Sequence, residues 1–231
     1  MVKILCIEST ENVCSVALSV DGKANFLHES VALCDHAATL APFVAKVLSE
    51  AGISTNDIDA VAISKGPGSY TSLRIGVSTA KGLCFAAQKP LIAIGSLDGL
   101  AQQVLQAEQI SPSTQICAML DARRMEVYAA FFDAQGKAQS PPTPVIVDEQ
   151  SFAQELQKGK VLFVGSGAQK CSKVIHHPQS SFRSLSPSAV GLTALAHRAF
   201  EQQQFEDLAY FEPFYLKSFV ATQAKHKVFM I

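Results

Sequence analysis

The sequence predicts an α/β protein made of two lobes, each built around a mixed β-sheet, and two observations support this. The order β-β-β-α-β-α-β-α can be traced twice along the 231 residues. In both halves the first strand ends at an acidic residue and a hairpin turn follows at a similar distance, from Glu8 to Asp21 and from Asp121 to Gly136. Because hairpin-linked strands run antiparallel and βα units add parallel strands, each half should form a mixed sheet flanked by helices.

The first half of the chain begins with three predicted strands, at residues 3–7, 13–20 and 23–30. The second of these alternates with period two, and Asp21-Gly22 is a strong signal for the hairpin that follows it. A helix is expected over 35–51, with one apolar stripe and Gly52 beyond its end, although Pro42 predicts an irregular or kinked first turn. The unit then continues with a strand at 60–63, a helix at 69–88, a strand at 91–94 and a helix from Ser96.

The second half repeats this order. Its predicted elements are strands at 115–120 and 126–132, an extended stretch broken by Pro141, Pro142 and Pro144, a helix at 149–157, a strand at 161–164 with room for a helix after Gly165-Ser-Gly167, and a last helix at 187–204. A lobe boundary near residue 105 divides the chain into 1–104 and 105–231, and the alternative that the last helix packs back on the first lobe stays open. Two such units in tandem resemble the actin-like (ASKHA) fold of actin, sugar kinases and Hsp70-type ATPases.

The composition is rather apolar with balanced charge, since the net charge is −1, 17% of residues are charged and 48% are hydrophobic. Without a large cationic field or an aromatic and basic patch, a nucleic-acid-binding module is the weakest functional hypothesis. We find no secretory signal and no apolar run of the ~20 residues that a membrane helix needs. The six cysteines have no CxxC spacing, which predicts reduced, mostly buried thiols and a cytoplasmic protein.

The helix predicted at 69–88 is the most informative element. Ser69 is placed to cap it, and its residues are small or apolar almost all round, with Arg74 and Lys81 as the charged exceptions. Such a helix should be covered on most sides, and its small residues recur at steps of four, which would let another backbone come close. We therefore expect a docking surface for a partner protein, formed by Tyr70, Ser72, Leu73, Arg74, Gly76, Val77, Ala80, Lys81, Leu83 and Cys84.

A second candidate site would bind an anion or a nucleotide. The turn Gly66-Pro67-Gly68 should leave backbone N–H groups free at the start of the helix, with Lys65 beside them. It is not a Walker A loop, so a purely structural turn is an equal alternative. Glu8 and Asp121 each end a first strand, where actin-like ATPases hold the metal of the nucleotide, although an acid at an exposed sheet edge is the simpler interpretation. The candidate residues are Glu8, Lys65, Gly66, Gly68 and Asp121.

No catalytic residue and no metal site are predicted. The six histidines lack the paired spacing of a metal-binding helix. Ser96 is expected to cap a helix rather than to act as a nucleophile, because no G-x-S-x-G elbow is present. The charged turn at 121–128 allows two roles for Arg123 and Arg124, local pairing with acids or presentation to a partner, and both stay open.

Several motifs make the chain resemble the TsaB family of bacterial threonylcarbamoyl-adenosine biosynthesis proteins. The long glycine motif is the most specific of them. The motifs are Glu8-Ser-Thr10, Ser15-Val-Ala-Leu18, His36 with Leu40-Ala-Pro42, Gly66–Gly82, Asp121–Tyr128 and Pro213-Phe-Tyr-Leu-Lys217. The sequence departs from the family pattern at Glu8, where Asp is common, and at Lys217, where Arg is common, and both changes keep the charge.

The resemblance implies a homodimer when the chain is alone and a place in a tRNA-modifying assembly with the catalytic paralogue TsaD and the ATPase TsaE. TsaD carries a metal-binding His-x-x-x-His where this chain has Ser96-Leu-Asp-Gly-Leu100, and a hydroxyl and an isobutyl group cannot replace two imidazoles. The implied role is a non-catalytic partner that orders TsaD, binds no cofactor, contacts tRNA only through the complex and has no membrane association. The alternative is an enzyme, either an actin-like ATPase or phosphotransferase or a metal-independent hydrolase.

Overall fold

A computed structural model of the chain describes residues 1–30 and 33–217. Its strands are β1 (Lys3–Glu8), β2 (Ser15–Val20), β3 (Lys23–Glu29), β4 (Ala60–Gly66), β5 (Leu91–Gly95), β6 (Thr114–Asp121), β7 (Glu126–Phe132), β8 (Thr143–Ile146), β9 (Lys160–Val164) and β10 (Ser180–Arg183). Its α-helices are α1 (His36–Glu50), α2 (Tyr70–Ala87), α3 (Ser96–Ala107), α4 (Ala153–Lys158), α5 (Ala168–Cys171) and α6 (Val190–Glu201). None of the helices in these described ranges has the length and apolar character to cross a membrane.

The two five-stranded sheets have the same topology. Their strand orders are β3-β2-β1-β4-β5 and β8-β7-β6-β9-β10. In each, three strands form antiparallel hairpins, and the fourth and fifth strands run parallel to the first. This confirms the predicted α/β fold with a duplicated unit and two mixed sheets.

Four helices cover the sheet nearest to them in sequence. On the first sheet, α1 and α2 cover one face, where Val44 and Val77 join Leu5 in a buried core. On the second sheet, α4 and α5 cover one face, where Leu156 packs in a core with Phe163. Each of these faces is the apolar side of an amphipathic pattern, so burial of apolar area stabilises it.

The other two helices are exchanged between the sheets. Although α3 directly follows the first sheet, its Leu100 packs with Ile116 and Val164 on the second sheet. The last helix, α6, returns to the first sheet, where Leu192 packs with Ile4. The lobe boundary near residue 105 stays a prediction, and the exchange bears on it because α3 lies before that boundary and covers the sheet that follows it.

The exchanged helices meet each other at two glycines. A Cβ atom on Gly191 would lie 2.1 Å from the carbonyl oxygen of Gly99, and one on Gly99 would lie 2.8 Å from Cδ2 of Leu192. No side chain fits between α3 and α6 at this point, so the two helices are joined by close backbone contact.

Two predicted helix starts are wrong, because both helices begin a few residues later than expected. The helix predicted from residue 149 begins at Ala153, because Asp148 Oδ1 accepts hydrogen bonds from Gln150 N at 3.0 Å and Ser151 Oγ at 2.8 Å. The helix predicted from residue 187 begins at Val190. Just before it, the Ser188 backbone N–H donates to a side chain of α3.

Two further predictions are corrected. Ser96 does not cap α3, because Gly95 holds that position and the Ser96 hydroxyl instead accepts a hydrogen bond from Gly66 N at 3.1 Å. Strand β10 was not predicted, since its four residues carry too short a pattern to be told from a loop.

Candidate functional site

The glycine turn before α2 is tightly enclosed by its own chain. Gly66 has a φ of +113°, and a Cβ on it would lie 2.5 Å from the carbonyl oxygen of Phe214. A Cβ on Gly68 would lie 2.6 Å from the carbonyl oxygen of Thr10. The Gly66 N–H donates to Ser96, and the Ser69 N–H donates to Thr10 O at 2.7 Å. Two N–H groups that sequence reasoning offered to an anion therefore have protein acceptors, which favours the structural interpretation of the turn.

The small residues at steps of four along α2, which are Ser72, Gly76 and Ala80, face the chain's own first sheet. A Cβ on Gly76 would lie 2.0 Å from Ser9 Oγ and 3.3 Å from Ile63 Cδ1, so the missing side chain is what lets the helix approach β1 and β4. The buried members of the predicted docking surface are Ser72, Leu73, Gly76, Val77, Ala80 and Cys84. These six residues cannot contact a partner without unpacking the core, so that part of the predicted surface is corrected.

The opposite side of α2 is exposed and carries few charges. We call it the exposed α2 face, and it consists of Thr71, Arg74, Ser78, Gly82 and Phe85. Phe85 is 80% exposed, and a Cβ on Gly82 would meet nothing within 4 Å. Of the other predicted residues, Tyr70 is exposed at the start of the helix, while Lys81 and Leu83 are half-buried at its edge.

The described part of the C-terminal segment, residues 205–217, packs along the first lobe and across to the second. Lys81 Nζ donates to the carbonyl oxygens of Ala209 at 3.2 Å and Phe211 at 3.0 Å. The Tyr70 and Tyr215 rings lie 4.8 Å apart between centroids. Lys217 then pairs with Glu126 at 2.7 Å, so the segment joins α2 to the second lobe. Residues 218–231 lie outside the described structure.

Glu8 is an internal carboxyl group rather than a ligand at the cleft. It is 1% exposed and accepts hydrogen bonds from Thr10 N at 2.7 Å, Thr10 Oγ1 at 2.5 Å and Ser64 Oγ at 3.0 Å. Burial raises the pKa of this carboxyl group, and the hydrogen bonds from Thr10 and Ser64 oppose that rise. The side chain therefore fixes the end of β1 to β4.

A cleft of about 790 Å³ lies between the two lobes, lined by the ends of β1 and β6, the start of α2 and the C-terminal segment. Glu11 faces it and accepts a hydrogen bond from Ser166 Oγ, which connects the lobes. Burial raises the pKa of Glu11 to about 7, and the neighbouring carboxyl groups of Glu8 and Asp121 add to the rise. Sequence reasoning missed Glu11 and Ser166, although each follows a strand, β1 or β9, and both line the same cleft.

Asp121 lies in the same cleft but is already paired. Its Oδ1 is 2.7 Å from Lys170 Nζ and accepts a hydrogen bond from Arg123 N at 2.6 Å. In residues 1–30 and 33–217, neither Arg123 nor Arg124 forms an ion pair with an acid. The structure therefore does not support the alternative in which the two arginines pair locally. Both are exposed in a turn with positive φ angles of 69° and 51°.

One group of side chains in the described residues has the spacing that a metal ion requires. It is formed by Cys14, Cys34 and His36, and none of the three lines the cleft.

The predicted anion-site residue Lys65 is half-buried beside β5 and Asp98, on a different side of the glycine turn from Asp121. The structure therefore does not bring the five predicted anion-site residues together in one site.

Comparison with known proteins agrees with this arrangement. The family model of TsaD, the tRNA N6-adenosine threonylcarbamoyltransferase, matches residues 29–230. A solved structure of YeaZ from Pseudomonas aeruginosa has 28% identity and a TM-score of 0.77, and the match covers 94% of this chain and all of that one. The activator of the 2-hydroxyisocaproyl-CoA dehydratase from Clostridium difficile, with bound ADPNP, has a TM-score of 0.51 at 9% identity. That last likeness concerns the fold alone, and it agrees with the predicted actin-like architecture.

The sequence relatives carry the assignment further. The tRNA threonylcarbamoyladenosine biosynthesis protein TsaB of Escherichia coli (strain K12) is 31% identical over 226 residues, which cover 95% of this chain and 96% of the relative. The resemblance predicted from the motifs is thereby confirmed over nearly the whole length. The chain belongs to the TsaB family of tRNA threonylcarbamoyladenosine biosynthesis proteins.

Proposed function

We propose that this chain is a non-catalytic subunit of the threonylcarbamoyl-adenosine machinery and that it binds and activates TsaD through the exposed α2 face. The observation that carries the proposal is the combination of a rigid support and an uncovered surface. The buried side of α2 is fixed to the sheet, while Phe85 on the other side is 80% exposed with one charged residue, Arg74, on that face. Exposed aromatic residues on weakly charged surfaces are typical of protein interfaces.

The non-catalytic part of the proposal rests on the residues that stand where TsaD is expected to hold its metal. Ser96 and Leu100 are both 0% exposed. The Ser96 hydroxyl is used by Gly66 N, and Leu100 packs in the core of the second lobe. This position therefore supports packing, and a hydroxyl and an isobutyl group offer no counterpart to two imidazole ligands.

The same face would also form the homodimer of the isolated chain, so that TsaD and a second copy would compete for it. TsaE and tRNA would then join through the complex rather than through this chain alone. A scaffold that exchanges one partner for another needs a surface exposed in the monomer, and the exposed α2 face meets that requirement.

Replacing Gly82 by arginine tests the proposal. A Cβ atom at this exposed position meets no neighbour within 4 Å, and arginine favours a helix over glycine by roughly 1 kcal/mol, so the lone chain should stay folded. We expect light scattering to show a monomer and pull-down to recover no TsaD. The matched control is Gln154→Arg on the exposed side of α4, which should keep both interactions. A folded Gly82→Arg variant that still dimerises and still recovers TsaD would refute the assignment of the surface.

The enzyme alternative is favoured by one observation, the cleft of about 790 Å³ with Glu11 and Asp121 on its walls. Calorimetry of the isolated chain with ATP and magnesium separates the two functions. Tight stoichiometric binding with turnover would favour an ATPase or phosphotransferase. We expect neither heat of binding nor turnover, and we expect tRNA modification to be restored when the chain is added to TsaD.

A further inference from the structure

Two thiols and an imidazole lie together beside the first sheet, and none of the three residues lines the cleft or belongs to the exposed α2 face. Cys14 Sγ is 3.4 Å from Cys34 Sγ, and Cys34 Sγ is 4.0 Å from His36 Nδ1. The three ligand atoms all lie within 4.8 Å of one another. Since Cys14 precedes β2 while Cys34 and His36 precede and begin α1, two separate parts of the chain supply the group.

The burial of this group leaves part of it without a hydrogen-bond partner. Cys14 is 1% exposed and His36 is 5% exposed, while Cys34 is half-buried. Across the described residues, Nε2 of His36 is buried and has no hydrogen-bond partner. Thiols are weak donors and acceptors, so the two cysteines do little to satisfy the ring. The ring nitrogen nearest to a thiol is Nδ1, 4.0 Å from Cys34 Sγ, so Nδ1 is the atom that an ion between the thiols would use, and the case for the ion depends on the geometry of the three ligand atoms.

The distances fit a bound metal better than a disulfide. With metal–sulfur bonds of about 2.3 Å and metal–nitrogen bonds of about 2.0 Å in tetrahedral geometry, two sulfurs lie roughly 3.8 Å apart and sulfur and nitrogen roughly 3.5 Å apart. The observed separations of 3.4 and 4.0 Å differ from these by about half an ångström or less. A disulfide would require the sulfurs to close to about 2.05 Å.

The backbone holds the three ligands in place. Ser30 Oγ accepts from Cys14 N at 2.9 Å, and Cys34 N donates to Asn12 O at 3.1 Å. Asp35 caps α1 by accepting from Ala37 N at 3.0 Å, which fixes His36 as the first residue of the helix. Fixed ligands lower the entropic cost of binding an ion.

We propose that Cys14, Cys34 and His36 form a binding site for a thiophilic cation, Zn²⁺ or Cu⁺. Two sulfurs and one imidazole are the donors that these ions prefer, and a fourth position stays open for water or a further ligand. The bound ion would hold the start of α1 against the start of β2. This inference is independent of the proposed function, because none of the three residues belongs to the exposed α2 face.

Cobalt(II) is a suitable probe, because its coordination by thiolates is visible in the absorption spectrum. The full chain, reduced and treated with a chelator that is then removed, is titrated with CoCl₂ and afterwards with ZnCl₂. We expect one equivalent of cobalt to give a sulfur-to-metal charge-transfer band, and zinc to displace it. Zinc should also raise the thermal midpoint of the chain. The variants Cys34→Ala and His36→Ala should bind cobalt at least tenfold more weakly than the unchanged chain. The control Cys171→Ala, which removes a buried cysteine outside the group, should keep both the band and the affinity.

Measuring metal binding by the unchanged chain keeps the test decisive even if a variant misfolds. If the unchanged chain shows neither the cobalt band nor a zinc-dependent rise in thermal midpoint, nor binds Cu⁺ in competition with a chromogenic chelator, the proposal is wrong. It is equally wrong if Cys34→Ala, folded by circular dichroism, binds as tightly as the unchanged chain. A Cys14–Cys34 disulfide in mass spectra together with no metal binding by the reduced chain would identify a redox pair and overturn the metal site.

Discussion

Replacing Gly76 by alanine should destabilise the chain, although alanine is the better helix former. The added Cβ would lie 2.0 Å from Ser9 Oγ and 2.9 Å from Ser9 Cβ, and the second distance cannot be relieved by rotating the hydroxyl. Ser9 itself is 0% exposed, so α2 would have to move away from the sheet.

Two opposing effects set the size of the change. Alanine in place of glycine stabilises a helix interior by about 1 kcal/mol, while overpacking of a well-filled core costs about 1–3 kcal/mol. Because the contact at Gly76 is closer than real Cβ atoms tolerate, we take the upper part of that range and expect a net loss of roughly 1–2 kcal/mol. Gly82→Ala on the same helix gains the propensity without the clash, so it should stabilise by up to about 1 kcal/mol.

Urea denaturation of the two variants and the unchanged chain measures this difference. For a chain of 231 residues, 1 kcal/mol corresponds to a shift of about 2–4 °C in thermal midpoint, which provides a second measurement. The reasoning fails if Gly76→Ala is as stable as Gly82→Ala, because Gly76 would then face solvent or a partner, as the sequence alone suggested.

Three other predictions concern the contacts between the lobes. The pKa of Glu11 is raised to about 7, so above about pH 4.5 the folded state still holds a proton that the unfolded state has released. The contribution of Glu11 to the free energy of unfolding should therefore be lost as the pH rises from 4.5 to 7, and Glu11→Gln should flatten this slope in urea titrations at several pH values. Lys217 and Glu126 form a partly exposed ion pair, so a double-mutant cycle with Lys217→Met and Glu126→Gln should give a coupling free energy of about 1 kcal/mol or less that decreases with salt. A coupling several times larger would contradict this prediction. Lys81→Met removes the donor to two carbonyl groups of the C-terminal segment, so limited proteolysis within residues 205–217 should become faster. An unchanged cleavage rate would show that the aromatic contacts alone hold the segment.

The strands and their pairing could be predicted from sequence because they depend on local patterns. Period-two alternation in β2 and the Asp21-Gly22 turn specify a hairpin with β3 without reference to the rest of the chain. The repeat of this pattern in the second half then indicates two copies of one sheet, which is what the two strand orders show.

The orientation of α2 could not be predicted in the same way. A helix with small or apolar residues almost all round has no polar face to point outward, so periodicity does not tell the side that meets the sheet from the side that meets a partner. The close fit of Gly76 against Ser9 depends on where β1 lies, which is information from elsewhere in the chain.

The thiol–imidazole group was missed for a related reason. Cys14 and Cys34 are 20 positions apart, and no fixed spacing rule links them to His36, so only the fold brings them together. Glu11 and Ser166 are 155 positions apart and lie in different lobes. A signal for the second pair did exist, since each residue follows a strand at the inter-lobe cleft, but that rule does not select these residues from their neighbours.

The exchange of α3 and α6 has a consequence for synthesis on the ribosome. One face of the first sheet stays uncovered after β5 has emerged, because its covering helix is encoded at Val190–Glu201. At translation rates of about 5–20 residues per second, this apolar face would wait on the order of 5–20 s for its helix. The nascent protein therefore offers chaperones a long-lived target, and a ribosome that stalls in the second half would leave behind an aggregation-prone fragment with an open sheet.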